Sequence, residues 1–495
     1  MRQFLGIDLG TSAVKCLVAD ESGAVLAKAR RSYSHASPQP GHLEQNPLDW
    51  WLATKEAIAS CLDALSASEI VAISVSGHMS APVLLDKDHN VIANAILIAD
   101  TRSEKESAAL QEQFGEQFLD ATGNMPIDAF AVSKLLWLQR NRPDVCERIA
   151  QVIFPKDYIR LMLTGDVATD HTDAGNTLLY DVKARAWNQA LIQKVGLPVH
   201  WFPRLEESTA LCGTVTMQAA AQTGLEQGIP VICGAADMAC SQIGVGGFHE
   251  DVIALTLSTS IQVVTAVPRF LAPLTRKLTY HPSAMAGKLY GMASIFSGGM
   301  SVDWLYKLLH DTTVISEADY ATFNQKTQNR FEERPLHDMI FLPFLTGSGS
   351  PWFDARDRGG FFGVTPDMTR EDFALAVFEG IGYNIKDNID LIKSSLPQRF
   401  HIHLAGGGSA STTWAKMLAS ILGQPIDVLR QRDVSSLGAV ILAGVGVGCF
   451  ENVQDSFQAF NGVAYTLEPN MAHTAHYSSK YGKYQTLHNA IRENM

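Results

Sequence analysis

Apolar residues open the chain in short runs. Phe4–Leu9 is nearly continuous, Ala13–Ala19 follows, and Ala24–Tyr33 is a third run with Lys28–Arg31 inside it. Runs of this length bounded by turn residues read as strands, and Asp20-Glu21-Ser22-Gly23 supplies the turn between the second and third. Pro47-Leu48-Asp49-Trp50-Trp51 opens a helix that the pattern carries to about Leu65, with proline tolerated in its first turn. Ile70–Val75 is a buried strand ending at Ser76-Gly77, Asp86–Asn90 a turn, and Ala95–Ala99 a strand ending at Asp100. Three antiparallel strands followed by alternating helices and strands predict an α/β fold, a mixed sheet carrying helices.

The pattern then repeats. Leu9-Gly10-Thr11-Ser12 and Leu257-Ser258-Thr259-Ser260 each sit between apolar β-branched runs, and the two threonines lie 248 residues apart, about half the chain. Similarity at half-length is the mark of a duplicated domain. Pro230–Gly234 reads as a buried strand leading through Ala235-Ala236-Asp237 into a helix of small residues that ends near Val245, and Gly244, Gly246 and Gly247 mark the crossing. The expected domains are therefore 1–246 and 247–495, packed directly around a cleft, with the last helix a candidate for folding back on the first domain. In the second half, Ile402–Ala405 reads as a strand running into Gly406-Gly407-Gly408, and Thr412–Leu422 as a helix closed by Gly423 and Pro425.

Charge narrows the function classes. Against 39 Lys and Arg stand 51 Asp and Glu, a net charge of −12, and nothing gathers the basic residues into a stripe. That disfavours nucleic acid as a partner and leaves local backbone groups and a metal ion to meet any anionic ligand. The seven cysteines form no CxxC pair and most lie in apolar runs, so they read as buried thiols of a reducing compartment. Ala439–Val447, the longest apolar stretch, is far short of the ~20 residues that span a bilayer, and a cytoplasmic protein without membrane attachment is expected.

Four places carry candidate chemistry. Asp8 ends a strand just before Gly10, where backbone can approach a phosphate, and Thr11 and Ser12 add hydroxyl donors; a carboxylate there can hold Mg²⁺ through water. The bland reading is a polar hairpin turn, but the echo at Ser258-Thr259 would set two such turns facing one another. Gly407 and Gly408, between strand and helix, offer bare backbone to a ligand, or else simply make a tight turn; they fit neither a dinucleotide fingerprint nor a Walker loop. Asp237 ends an apolar strand at the sheet edge where open α/β proteins bind ligands, with a helix cap as the competing role. His78, Asp100 and Arg102 follow two other strand ends, where each can serve as a ligand contact or a loop residue.

These residues resemble the FGGY family of carbohydrate kinases, within the superfamily of hexokinase, actin and the chaperone ATPases, and the likeness to xylulose kinases runs over nearly the whole chain. Gly6-Ile7-Asp8-Leu9-Gly10-Thr11-Ser12 with Lys15 is similar to the first phosphate loop, and Glu44-Gln45-Asn46-Pro47 with Trp50-Trp51 to the opening of the first helix. Pro155-Lys156-Asp157-Tyr158 and Thr169-Asp170 resemble further xylulose-kinase stretches. Lys134–Arg140 resembles the first FGGY signature, with Ala131 where Pro, Ser or Thr is usual; Gly359–Val364, Asp372-Phe373 and Ala376–Glu379 resemble the second throughout.

The resemblance implies two ribonuclease-H-like domains of the actin and hexokinase type flanking a cleft, a sugar and ATP as ligands, Mg²⁺, and a homodimer. It implies Asp237 as catalytic base and Asp8 as the catalytic carboxylate associated with the metal. Gly10, Thr11, Ser12, Lys15, Ser258, Thr259, Gly299, Gly407 and Gly408 would face ATP; His78, Met79, Ser80, Asp100 and Arg102 would face sugar. The chain also departs from the xylulose-kinase pattern: Gly-Gln-Met-His is here Gly77-His78-Met79-Ser80, Trp-Asn-Asp is Ile98-Ala99-Asp100, Gly-Thr-Ser-Gly is Ser258-Thr259-Ser260-Ile261, and Gly-Glu-Arg-Thr-Pro is Gly347-Ser348-Gly349-Ser350-Pro351. The expected activity is phosphorylation of a ketopentose such as xylulose. The alternatives are another ketose or polyol, a partner-binding ATPase of the actin or chaperone kind, or a weakened sugar sensor.

Overall fold

The structure is a computed structural model and describes every residue except 64, 271–273, 275, 334, 335, 394–399 and 495. Strands β1 (Gln3–Leu9), β2 (Ala13–Asp20), β3 (Val25–Ser32), β4 (Ile70–Gly77), β5 (Leu211–Thr214) and β6 (Pro230–Ala236) form one sheet, ordered β5-β6-β4-β1-β2-β3. A second sheet holds β7 (Val252–Leu257), β8 (Ile261–Val267), β9 (Thr279–Pro282), β10 (Leu289–Ile295), β11 (His401–Ala405), β12 (Ile426–Leu429) and β13 (Val463–Leu467), ordered β9-β10-β8-β7-β11-β12-β13.

The half-length echo is thus a repeat of topology. In the first sheet β1, β2 and β3 are antiparallel while β1, β4 and β6 run parallel; β7, β8, β10 and then β7, β11, β12 do the same in the second. Strands covered on both faces read as continuous apolar runs, and β1 is buried along its whole length, whereas the edge strand β3 is buried nowhere. Helix α1 (Pro47–Leu62) starts as its sequence requires, with the Asn46 side chain accepting the Leu48 N–H and Pro47 in the first turn. Only Ala95–Ile96 of the expected strand to residue 99 is extended, because Leu97 turns away: its N–H bonds Leu43, and its carbonyl takes the Asp100 N–H.

Two helices join the sheets. Helix α2 (Asp237–Gly244) follows β6, and α5 (Val434–Gly446) follows β12; between them in the chain lie α3 (Gly299–His310) and α4 (Thr412–Leu422). A Cβ on Gly438 would stand 2.0 Å from the Cys240 carbonyl oxygen, and one on Gly244 would stand 2.0 Å from that of Val434, so α2 and α5 cross backbone against backbone. Helix α5 also lies on the first sheet, where a Cβ on Gly6 would meet the Ser436 carbonyl oxygen at 2.4 Å. One core cluster accordingly takes Phe4 and Ala72 from the first half, Ala254 and Val264 from the second, and Cys240 and Val440 from the helices.

The last helix, α6 (Met471–Glu493), corrects the expectation that it folds back on the first domain: it packs on α4 and other elements of the second half. Its buried Lys480 pairs with Glu379, and His488 stacks on Phe344 at 4.2 Å, which ties it to its own half. All seven cysteines are free thiols, five of them buried. Among the described residues no helix is long and apolar enough to cross a membrane; the apolar Ala439–Val447 run lies within and just after α5.

Candidate active site

Parallel strands end together, so the loops after β1, β4 and β6 converge at one sheet edge, with Leu9 and Ala236 both in register with Gly77. Asp8, near the end of β1, accepts hydrogen bonds from Ser76 Oγ on β4 at 2.8 Å and from Ser435 Oγ at 2.7 Å. Lys15, opposite Asp8 on β2, places Nζ 3.8 Å from Asp8 Oδ2 and 3.1 Å from Asp433 Oδ1. Burial opposes the charge on Lys15, yet the two carboxylates hold its ammonium above the usual value. Asp8 is raised by burial, against the pull of Lys15 and with a further push from Asp433. The second half therefore already touches this edge through Asp433 and Ser435.

Asp237 is the first residue of α2. Ala236 is the cap, so the helix-cap role is not the one Asp237 has; its Oδ1 accepts the Met238 N–H beside it, at 2.8 Å. The side chain is partly open. Burial by the surrounding protein, then the charge of Asp8, pushes its carboxyl up to about 7. The ordinary value of an aspartate carboxyl is ~3.9.

Thr11 and Ser12 are exposed at the tip of the first hairpin, where the Gly10 N–H bonds the Ala13 carbonyl. Gly10 does not have a left-handed φ, so its value there is space for approach rather than conformational licence. On the second sheet Ser258 and Thr259 are exposed at the matching tip. The start of α3 rests on them, with the Gly299 N–H donating to Ser258 O at 2.8 Å and the Met300 N–H to Thr259 O at 3.0 Å. Gly406 has φ +88° and a Cβ there would meet Leu257 O at 2.4 Å, while one on Gly408 would meet Leu257 and Trp414 below 3 Å. A Cβ on Gly407 would meet nothing within 4 Å. If this loop faces ATP, as the resemblance implies, Gly407→Val is its clean probe: folding and sugar affinity should be unchanged while ATP affinity falls about tenfold or more, a loss of ~1.4 kcal/mol. Unaltered ATP affinity by calorimetry would remove Gly407 from the nucleotide site.

His78, Met79 and Ser80 are all buried. The His78 N–H bonds Leu9 O at 2.8 Å, and its ring stands edge-on to Trp50, centroids 5.2 Å apart. Neither ring nitrogen has a hydrogen-bond partner among the described residues, and burial pushes the imidazole down to about 3, so it is neutral. Ser80 is held at φ +66°, and its Oγ donates to Asn176 O at 3.4 Å. Asp100 and Arg102 bind one another: Asp100 accepts the Arg102 backbone N–H and guanidinium at 2.7–3.0 Å and the Leu43 N–H. Arg102 also reaches Glu44 at 2.8 Å and lies over the Trp137 ring, which makes the pair a brace between loops.

Ser76, Asp433 and Ser435 were not found by sequence reasoning. The duplication held the signal for one of them, since Asp433 caps the helix after β12 much as Asp237 begins the helix after β6.

Comparison with known proteins agrees with this geometry. Residues 3–244 match the N-terminal domain of the FGGY family of carbohydrate kinases, and residues 254–447 match its C-terminal domain. The xylulose kinase of Escherichia coli K12 is 32% identical, over 89% of this chain and 90% of that one. The crystal structure of a xyloylose kinase from Brucella ovis superimposes with a TM-score of 0.88 at 30% identity over 100% of both chains, and that of a gluconate kinase from Lactobacillus acidophilus with 0.89 at 26% over 99% and 98%. The chain belongs to the FGGY family of carbohydrate kinases. It is an ATP-dependent sugar kinase with the two-domain fold of the actin and hexokinase type.

Proposed function

We propose that this kinase transfers the γ-phosphoryl group of ATP to a hydroxyl of a ketopentose, with xylulose the favoured sugar and Asp237 the general base. The observation that carries the reading is the Asp237 carboxyl, partly open, in no salt bridge among the described residues, and raised to about 7 at the edge where the His78 loop and the Asp8–Lys15 pair meet. As the sugar oxygen bonds to the γ-phosphorus and the bond to ADP breaks, Asp237 takes the hydroxyl proton. At a pKa near 7 it accepts that proton far more readily than a surface carboxylate.

Asp8 suits a divalent cation carried by the nucleotide. Each of its oxygens takes one hydroxyl donor and keeps a second lone pair, and Mg²⁺ binds through one or two carboxylates, waters and phosphates, so the lack of a three-ligand cluster among the described residues is no obstacle. Mg²⁺ there would offset charge on the transferring phosphoryl group. Lys15 would turn its ammonium from Asp433 toward phosphate as the two halves close and shut out water.

His78 supports sugar on the first half. A buried imidazole with both nitrogens unpaired costs ~1–3 kcal/mol, which a sugar hydroxyl would recover. Its place two residues before the usual histidine also favours a second reading, a different ketose or polyol. A panel of ketoses, polyols and aldonates, assayed for sugar-dependent ADP release, tests both. Xylulose should give the highest kcat/KM, and His78→Gln with Ser80→His should shift the preference among ketoses about tenfold. Release of ADP at the same rate without sugar would defeat the kinase reading of the site. A sugar profile untouched by the swap would take His78 and Ser80 out of the sugar pocket.

A further inference from the structure

Behind Asp237 lies a fully buried set of charges that the mechanism above does not use. Lys156 Nζ is 2.6 Å from Asp157 Oδ1, 2.9 Å from Asp170 Oδ1 and 2.9 Å from Asp173 Oδ2, and Arg160 Nη1 is 3.2 Å from Asp157. Two cations thus face three carboxylates, and all five side chains are buried. Such a set is expensive to bury and is a poor route to stability, so a specific geometric task is the better reason for its presence.

The contacts lead to one place. Lys156 holds Oδ1 of Asp170; the other oxygen, Oδ2, accepts the Thr172 hydroxyl at 2.7 Å and the Ser208 hydroxyl at 2.8 Å. With its proton committed to Asp170, Thr172 Oγ1 accepts the Ala236 backbone N–H at 2.8 Å. Ala236 ends β6 and immediately precedes Asp237. The pairing of β6 with β4 shifts register between Ile232 and Ala235, where Gly234 takes φ +78°, and resumes at Ala235 and Ala236. At that end the Ala236 N–H goes to Thr172 Oγ1, so the orientation of the last peptide of β6 depends on this side chain as well as on the sheet.

We infer that Thr172 is a positioning residue for catalysis, a relay through which the buried Lys156–Asp170 pair fixes the Ala236 peptide and so aims the Asp237 carboxylate. This rests on Asp237 being the base. Ser208 supplies an internal control, since it donates to the same Asp170 oxygen without touching Ala236.

The test compares Thr172→Val, Thr172→Ser, Ser208→Ala, Asp237→Asn and the Thr172→Val, Asp237→Asn double variant in the full chain. Thr172→Val should lower kcat about 10–100-fold, the effect of a small misplacement, with KM for sugar and ATP nearly unchanged. Thr172→Ser keeps the hydroxyl and should restore the rate. Ser208→Ala should lose melting temperature but not kcat. The double variant should be no slower than Asp237→Asn, because two changes that act through one group do not add. If Thr172→Val does not accumulate folded, Thr172→Ala is read the same way.

A native kcat in the folded Thr172 variant, an additive double variant, or an equal kcat loss in Ser208→Ala would each overturn the relay while leaving the base intact. A near-native rate in Asp237→Asn alone would remove the base itself and the relay with it, and that failure is visible before Thr172 is changed.

Discussion

Asp237→Asn should fold, bind ATP normally and turn over about 10²–10⁴-fold more slowly, because the amide keeps the shape of the carboxylate but cannot take the sugar proton. The pH dependence sharpens the test. As the proposed base Asp237 would work deprotonated, and burial with the nearby Asp8 charge raises its carboxyl to about 7, so kcat/KM of the native enzyme should rise with pH through a midpoint near 7. In the Asn variant that limb should vanish. The stability effect has the opposite sense. The folded carboxyl sits at about 7 and the unfolded one near the reference ~3.9, so between these values the folded chain binds a proton that the unfolded chain does not. Its contribution to stability therefore declines as pH rises from ~4 to about 7, and above 7 the ionised form is the strained one. Asp237→Asn should melt higher than native at pH 8 and no higher at pH 4. Near-native turnover, or a melting difference independent of pH, would leave Asp237 an ordinary first-turn residue.

Gly438→Val should be among the most damaging single changes outside the site. Its Cβ would stand 2.0 Å from the Cys240 carbonyl oxygen and 2.9 Å from Cys240 Cα, contacts that no rotamer can relieve because the obstacle is backbone. Helices α2 and α5 would have to part, opening the core shared by both sheets and shifting Asp433 and Ser435 away from Lys15 and Asp8. Overpacking costs typically 1–3 kcal/mol, and a clash of backbone with Cβ lies at or above the top of that range, or a fall of about 6–12 °C in melting temperature for a domain of this size. Calorimetry should also show the two halves unfolding less cooperatively. A variant that melts like the native protein would mean that the helices can slide past one another at no cost.

The chain announced its elements wherever local pattern and global burial agree. Phe4–Leu9 and Ile402–Ala405 are apolar on both sides because they are covered on both faces, and Ser411 to Gly423 carries its own start and stop. The hairpin echo at Thr11 and Thr259 and the strand ending at Asp237 were readable for the same reason: glycine and small polar residues punctuate the turns and strand ends where they sit. The repeat of topology followed from that echo.

Burial and partnership were not readable. Asp237 and Asp100 look alike in sequence, a carboxylate after an apolar run, yet one is raised by burial and a second negative charge while the other closes on Arg102. Nothing local separates Ala439–Val447, which belongs in sequence to the second half, from an ordinary core helix, yet it packs on the first sheet because Gly6, Gly244 and Gly438 admit backbone contact. The Lys156–Asp170–Thr172 line joins Ala236 across 64 residues, and the Asp8–Ser435 bond spans 427. Pattern along a chain records which groups are polar and how the backbone turns. Which charge finds a partner, and so which carboxyl is held above the usual range, is set by close contacts between residues far apart in sequence, and these exist only once the two sheets have closed on their shared helices.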